Sequence, residues 1–185
     1  AFRGDGERLC NPIGNLPLIG GRLAAATFEP HLALTDGYYT LIDNVPPVGL
    51  SEDERQAQRV IGRWNPYREM FGLLWRGKRH VMMGATQVDR FGNQNIAAIG
   101  DWHQPRRQLL GFRGAPGNTV NNRTSYWVPR HSPRVLVERV DVVSGVGPAR
   151  AREAGPAAAR FNDIHRIVTD LAVLSEAEVA GLDLR

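Results

Sequence analysis

The sequence predicts an α/β protein built on an open, mixed or parallel sheet with flanking helices, in one domain over residues 1–185. Three observations carry that prediction. Apolar residues at helical spacing fill much of the first third, short apolar runs bounded by turn residues follow from His80 onward, and no internal repeat divides the chain. A chain of 185 residues is also long enough for one such domain with a full core.

The elements follow in order. Asn15-Leu16-Pro17 offers a cap, a staple residue and a proline for the first helical position, and Leu18, Ile19, Leu23 and Ala26 continue at helical spacing. His31 to Thr35 is a short apolar stretch that meets the turn signal Asp36-Gly37. Ser51 and Glu54 form an S-x-x-E capping box opening a polar helix through Arg63. Asn65-Pro66 caps the next helix, whose Tyr67, Met70, Phe71, Leu74 and Trp75 make an apolar stripe expected in the core, with Gly77 as its end.

From His80 the pattern turns to strands. His80 to Ala85 is a short apolar run, Asp89-Arg90-Phe91-Gly92-Asn93 a turn between extended segments, and Gln108 to Phe112 and Val135 to Val143 are further strands. Residues 147–160, rich in Ala, Arg, Gly and Pro, are expected to form a surface loop or a disordered insertion. Ile164 to Leu174 is again β-rich, and Ser175 to Arg185 reads as one short helix.

Composition narrows the function classes. No apolar run approaches the ~20 residues needed to span a bilayer, and no basic-then-apolar leader opens the sequence. A soluble, cytoplasmic protein without membrane contact is therefore expected. The single cysteine, Cys10, excludes an internal disulfide and a zinc site of several thiolates, and reads as an ordinary buried or semi-buried thiol. His80, His103 and His131 lack metal-ligand spacing, so no metal is expected and these residues read as surface or structural. The net charge of +4 suggests nucleic acid at first sight. Of 23 basic residues, however, only Lys78 is lysine, a skew typical of GC-rich codon usage. The basic patches at Arg76 to His80 and Arg106-Arg107 also lack interleaved aromatics, so no nucleic-acid partner is expected.

Three segments crowd polar and glycine residues where strands should end: Gly84 to Asn95, Gly111 to Thr119, and Arg134 to Asp141 running into Ser144-Gly145. The second matters most chemically. Its glycines let backbone N–H groups approach a ligand, and such groups stabilise a thioester oxygen as negative charge develops on it. It matches neither the P-loop nor the dinucleotide pattern. From the residues alone, a hairpin turn at Asp89 to Asn93 and a plain loop or phosphate cradle at Gly114 to Gly117 remain open readings.

The run GATQVDRFGNQN resembles the QVD-x-x-GN-x-N signature of the β subunits of family I CoA-transferases, the glutaconate and 3-oxoacid type. The glycine loop, VERVDVVSGVG and RIVTDLAVL follow in that family's order, so the resemblance covers roughly residues 11–174. It implies a CoA-transferase-like α/β fold and an αβ or α2β2 assembly with an α-type subunit of the same fold, the active site lying between subunits. It further implies an acyl-CoA substrate, with coenzyme A as part of that substrate and no permanently bound cofactor.

The family's transferases carry a nucleophilic glutamate in a Glu-x-Gly turn; aligning on Gly37 puts Thr35 at that place. Thr35 has no visible base, and Asp36 is one residue off with a shorter side chain. The stretches MGATQVDRFGNQNIAAIG and GFRGAPGNTVNNRTSYW resemble more narrowly the β subunits of actinobacterial steroid-ring CoA hydrolases, which also lack that glutamate. This narrower resemblance implies hydrolytic C–C cleavage of a cyclic keto-acyl-CoA in steroid (cholesterol) degradation, with the catalytic carboxylate on the α partner. Gly114, Ala115, Pro116, Gly117 and Asn118 are then expected at the thioester, with backbone N–H groups as oxyanion donors. Thr35, Asp36 and Tyr38 are expected to face the substrate, and Gln87, Asn93 and Asn95 to fix the loops. Asn121, Asn122, Arg123 and Tyr126 are further polar candidates. The alternatives are a true CoA-transferase, with Asp36 or a partner carboxylate as nucleophile, and a non-enzymatic partner, scaffold or nucleic-acid binder.

Overall fold

The computed structural model describes residues 1–35, 40–42, 51–57, 61–64, 66–175 and 178. In chain order the elements of the first half are β1 (Leu9–Pro12), α1 (Asn15–Thr27), β2 (Leu34–Thr35), β3 (Thr40–Ile42), α2 (Glu52–Ala57), β4 (Ile61–Trp64), α3 (Tyr67–Trp75) and β5 (Arg79–Gly84). The second half holds β6 (Gln87–Asp89), β7 (Gln94–Asn95), β8 (Ala98–Gly100), β9 (Pro105–Gln108), α4 (Ala115–Asn121) and β10 (Arg123–Trp127). After these come β11 (Leu136–Val137), α5 (Pro148–Glu153), α6 (Pro156–Ala159), β12 (Asp163–Val168) and β13 (Val173–Leu174).

The main sheet has the order β1-β5-β10-β12-β13, parallel except for the last strand. The inner strand β5 is buried on both faces, which is why it reads as a continuous apolar run rather than an alternating one. Val81 and Met83 face one cluster with Ala115, Tyr126, Ile164 and Ile167. Met82 faces the other, with Phe2, Cys10, Ala24 and Leu34. Helix α1 thus covers one face and α4 the other, giving the α/β layering that the sequence predicts. No helix among the described residues is long and apolar enough to cross a membrane.

The Ser51–Glu54 capping box forms as read: Glu54 N–H donates to Ser51 Oγ at 3.3 Å and Ser51 N–H to Glu54 Oε2 at 2.8 Å. Ser175 and Glu178 repeat it, with the remaining tail outside the described residues apart from Glu178. Gly77 ends the α3 region at a φ of +64°.

Other expectations are corrected. Helix α1 starts at Asn15 with Gly14 as cap, so Pro17 sits third, still in the first turn where its missing N–H is not needed. The face of α1 that packs is the small one, Gly21 and Ala24, while Leu16 is 64% exposed. Phe71 and Trp75 of the α3 stripe are likewise 51% and 66% exposed rather than core. An amphipathic stripe marks which face is apolar without fixing what it packs against. The polar helix at Ser51 is described over Glu52–Ala57 and does not run through Arg63, since Ile61–Trp64 is a strand; the cap residue Asn65 lies outside the described residues. Strand β1, with its terminal proline, escapes the sequence reading. The strand expected at 108–112 lies earlier, at Pro105–Gln108, and only Leu136–Val137 of 135–143 is a strand. Residues 147–160 contain α5 and α6 rather than a loop or insertion: Gly147-Pro148 and Gly155-Pro156 are each a helix start.

Candidate active site

The carboxyl ends of β1, β5 and β10 open onto a cleft of about 430 Å³, the place where ligands bind in open α/β sheets. Its floor is Met83 to Ala85 with Trp127, one wall is the Ile13-Gly14 turn into α1, and the other is the segment from Leu110 to Asn118. Trp127 Nε1–H donates to the Ile13 carbonyl at 3.0 Å, fixing the indole across the floor. Gly14, at φ +109°, passes so close that a Cβ there would stand 3.1 Å from the ring.

The only charged residue of this lining among the described residues is Arg113. It is also the only non-glycine residue with left-handed φ, +50°, among the described residues. That conformation costs an L-residue roughly 1–2 kcal/mol. Its Nε–H donates to the Leu110 carbonyl at 3.1 Å, and its terminal nitrogens have no partner among the described residues. The sequence reading passed over Arg113, because nothing in a sequence marks an arginine that will take a glycine's conformation.

The segment expected as a glycine loop is the first turn of α4, capped by Gly114. Helix formation changes which N–H groups remain. Ala115 N–H donates to Phe112 O at 3.1 Å and Asn118 N–H to Gly114 O at 2.9 Å, while Pro116 has none. The N–H groups of Gly114 and Gly117 have no partner among the described residues. Gly114, Ala115 and Asn118 line the cleft.

The other candidates fall into three places. Gln87, Asn93 and Asn95 spend their amides on loops. Gln87 Oε1 accepts from Asn95 Nδ2 at 2.7 Å and from Asp141 N–H at 3.1 Å, Asn93 Oδ1 accepts from Gly147 N–H at 2.9 Å, and Asn95 Nδ2 donates to Ala98 O at 2.7 Å. Asn121, Asn122, Arg123 and Tyr126 do not line the cleft. Asn121 donates to Gly117 O at 2.9 Å, Asn122 is fully buried beneath α4, and the buried Tyr126 hydroxyl donates to Gly92 O at 3.3 Å, its pKa raised by burial and by Asp89. Arg123 begins β10, and four residues at ~3.3 Å each put it about 13 Å from the cleft end of that strand. Thr35 closes β2, whose neighbour Ala33 bridges Leu9 in parallel, so the segment runs toward the same carboxyl end. Asp36 and Tyr38 lie outside the described residues.

The amino end of the sheet is a charged network. Asp5 Oδ2 meets His80 Nδ1 at 2.5 Å, His80 Nε2 meets Ser125 Oγ at 2.8 Å, and Asp5 Oδ1 accepts from Arg123 at 3.0 Å. The order is that of an acid–base–nucleophile triad, yet His80 and Ser125 are 0% exposed, so no substrate reaches the hydroxyl. It ties the N-terminal arm to the sheet. Burial keeps His80 below the usual histidine pKa, with Asp5 opposing. Cys10 is buried as well, its thiol pushed up to about 12 by burial and Asp5, which makes it unreactive. No group of three or more His, Cys, Asp or Glu suited to a metal occurs among the described residues.

No family model matches the chain. Proteins named cholesterol ring-cleaving hydrolase IpdB subunit, from Rhodococcus jostii and Mycobacterium tuberculosis, are 48% and 46% identical to it over 172 residues. Those residues are 93% of this chain and 65% and 67% of the relatives, so the chain spans about two thirds of the length of the curated proteins it matches. The crystal structure of Rhodococcus jostii IpdAB superposes with a TM-score of 0.81 at 46% identity, over 93% of this chain and 66% of that one. Glutaconate CoA-transferase from Acidaminococcus fermentans shares the fold at a TM-score of 0.73 and 22% identity, over 92% and 68% of the two chains. Identity of this level along nearly the whole chain, on a CoA-transferase fold with its cleft at the strand carboxyl ends, means that the chain belongs to the family of IpdB subunits of cholesterol ring-cleaving hydrolases.

Proposed function

We propose that the chain is the β-type subunit of a two-part hydrolase that opens the ring of a cyclic β-keto acyl-CoA derived from a steroid, paired as αβ or α2β2 with an α-type subunit of the same fold. The observation that carries this reading is the 46–48% identity to IpdB subunits along 93% of the chain. The cleft supports it. Its walls are mostly apolar, as an alicyclic acyl group requires, and Ile13 and Leu110, 46% and 68% exposed at its edge, suit coverage by a second subunit. A cytoplasmic location fits a CoA thioester substrate. Coenzyme A belongs to that substrate, and the reading needs no resident cofactor, metal, nucleic acid or membrane.

The chemistry is a retro-Claisen hydrolysis. A carboxylate of the α partner takes a proton from water, and the oxygen bonds to the ring ketone carbon. The bond from that carbon to the thioester α-carbon then breaks. Its electron pair moves onto the α-carbon and the thioester oxygen as an enolate, which ends by protonation at the α-carbon. The product keeps CoA and gains one carboxylate. This chain serves the enolate: Arg113 and the N–H group of Gly114 supply positive charge and a donor beside an apolar floor, where such groups act more strongly than in water. Asn118 shapes the wall behind them, and Thr35 stands where a transferase would hold its nucleophile.

The test is co-expression with the α-type subunit and mass spectrometry of a cyclic β-keto acyl-CoA turned over in heavy-oxygen water. A ring-opened product with CoA attached and one labelled carboxylate oxygen is expected. CoA transfer to an added carboxylic acid, with an enzyme–CoA intermediate trapped by borohydride, would replace this reading with a transferase.

A further inference from the structure

At the amino ends of β5, β10 and β12, away from the candidate active site, a second cleft of about 520 Å³ opens. Small-molecule sites occupy ~300–1,000 Å³. Among the described residues, five that line it are basic and three acidic, and their pairing is uneven. Arg123 is held by Asp163 at 2.7 Å and Asp5 at 3.0 Å, and Arg8 donates to the Gly77 carbonyl at 2.8 Å. Arg76, Lys78 and Arg160 have no acidic partner among the described residues; of the acids, only Glu7 lacks a basic one.

Their spacing is fixed by packing. The turn bearing Arg76 and Lys78 pivots on Gly77, at φ +64°, where a Cβ would stand 2.6 Å from the Phe161 ring. The Arg160 guanidinium lies over the same ring, 4.7 Å from its centroid. One aromatic side chain thus sets two chain segments side by side and holds three unneutralised cations around a concavity. Lys78, the only lysine in the chain, is among them.

We infer that this cleft binds a small phosphate-bearing anion through Arg76, Lys78 and Arg160. A phosphate carries up to two charges and three acceptor oxygens, enough for convergent cations, whereas one carboxylate satisfies a single guanidinium fork. Arginine forks with a lysine point charge are a common phosphate-binding combination. The concavity and the acids Glu7 and Asp163 in its wall favour a small molecule over a polyanionic chain, which needs a continuous basic stripe. The phosphate belongs either to free coenzyme A or to an independent metabolite. The inference does not depend on the proposed ring opening.

Isothermal titration of the full chain with inorganic pyrophosphate, ADP and free coenzyme A tests it. Saturable pyrophosphate binding that weakens with added salt is expected. The triple variant Arg76→Ala, Lys78→Ala, Arg160→Ala should bind at least ~100-fold more weakly, as three charge-assisted contacts are lost. Should that variant melt early, Lys78→Glu, a single exposed change, reads the same site. Coenzyme A binding tighter than pyrophosphate and lost in these variants assigns the cofactor's phosphate end; equal affinities for pyrophosphate, ADP and coenzyme A assign a phosphate group from any source. No saturable pyrophosphate binding, or binding unchanged in the variants, overturns the inference. Coenzyme A binding that survives the triple variant but is lost on Leu110→Glu in the other cleft, while pyrophosphate binding is lost in the triple variant, assigns the amino-end cleft to an independent phosphate metabolite.

Discussion

Asp5, His80, Ser125 and Arg123 fill the amino end of the sheet with polar groups that answer one another. At the carboxyl end, roughly 13 Å along β10, Arg113, Gly114 and Gly117 keep donors that nothing in the described chain receives. The same parallel strands support both. Where buried charge is paired it holds the fold; where a strained residue and unpaired donors meet an apolar floor, the proposed function has the fold hold them ready for a ligand. Substitutions at the first end should therefore cost stability, and those at the second should cost turnover.

The largest effect is expected at Asp5. Asp5→Ala leaves the buried, neutral His80 without its hydrogen-bond partner and takes from the half-buried Arg123 one of its two carboxylates, and should cost ~2–4 kcal/mol in urea denaturation. Asp5→Asn, which keeps hydrogen-bonding capacity, should cost less. A loss under ~1 kcal/mol for the alanine variant, the range of an exposed ion pair, would reduce the network to a surface detail and break the comparison.

Arg113 should show the reverse. Arg113→Gly removes the side chain but suits φ +50°, so stability should hold or rise by up to ~1 kcal/mol. Turnover by the assembled enzyme should fall ~100- to 1,000-fold, the range for one lost oxyanion donor. Arg113→Ala should lose the same activity without the gain in stability. Activity retained in Arg113→Gly would remove Arg113 from the proposed enolate contacts and leave them to the backbone donor.

Between the two ends, Gln94 braces the cleft floor by donating to the Gly84 carbonyl at 2.6 Å. A Cβ at Gly145 would stand 2.7 Å from Gln94 Oε1 and 3.0 Å from Thr119 Cγ2. Gly145→Ala should therefore cost ~1–3 kcal/mol by overpacking. It should also raise KM more than it lowers kcat, because it displaces a wall rather than a reacting group.

How much of this is legible in the sequence depends on how local the chemistry is. The Asp89 hairpin reads directly, since the Asp89 carboxylate accepts from Phe91 and Asn93 N–H at 3.0 and 2.9 Å within five residues. Helices α4, α5 and α6 are legible in principle but disguised. Gly114-Ala115-Pro116, Gly147-Pro148 and Gly155-Pro156 look like loop composition, yet a glycine cap followed by proline in the first turn is a helix start. The network at Asp5 is not legible, because His80 and Ser125 lie 75 and 120 positions away and only the parallel order β5-β10 brings them together. The cleft is half legible. Its glycine wall stands out, but the helical turn that consumes two of its N–H groups and the left-handed Arg113 follow from tertiary packing.

The smallest expected effect is a pH dependence at the amino end. His165 lies edge-on to His80 with ring centroids 5.6 Å apart, and its pKa is pushed down to about 4 by burial, then by Arg123 and Arg166, with Asp163 opposing. His80 is lowered too, chiefly by burial. Both histidines stay neutral in the folded protein at pH values where an unfolded histidine, with an ordinary value of 6.5, takes up a proton. The unfolded state therefore binds more protons between about pH 6.5 and 4, and stability falls as pH drops through that window while staying level above it. Water still reaches His165, which keeps its share under ~1 kcal/mol. Urea midpoints measured from pH 7 to pH 5, above most of the carboxylate range, isolate the histidines. His165→Gln should flatten the decline in part. If the slope is unchanged, the proton goes to His80 alone, and the acid sensitivity belongs to the Asp5 network rather than to the ring beside it.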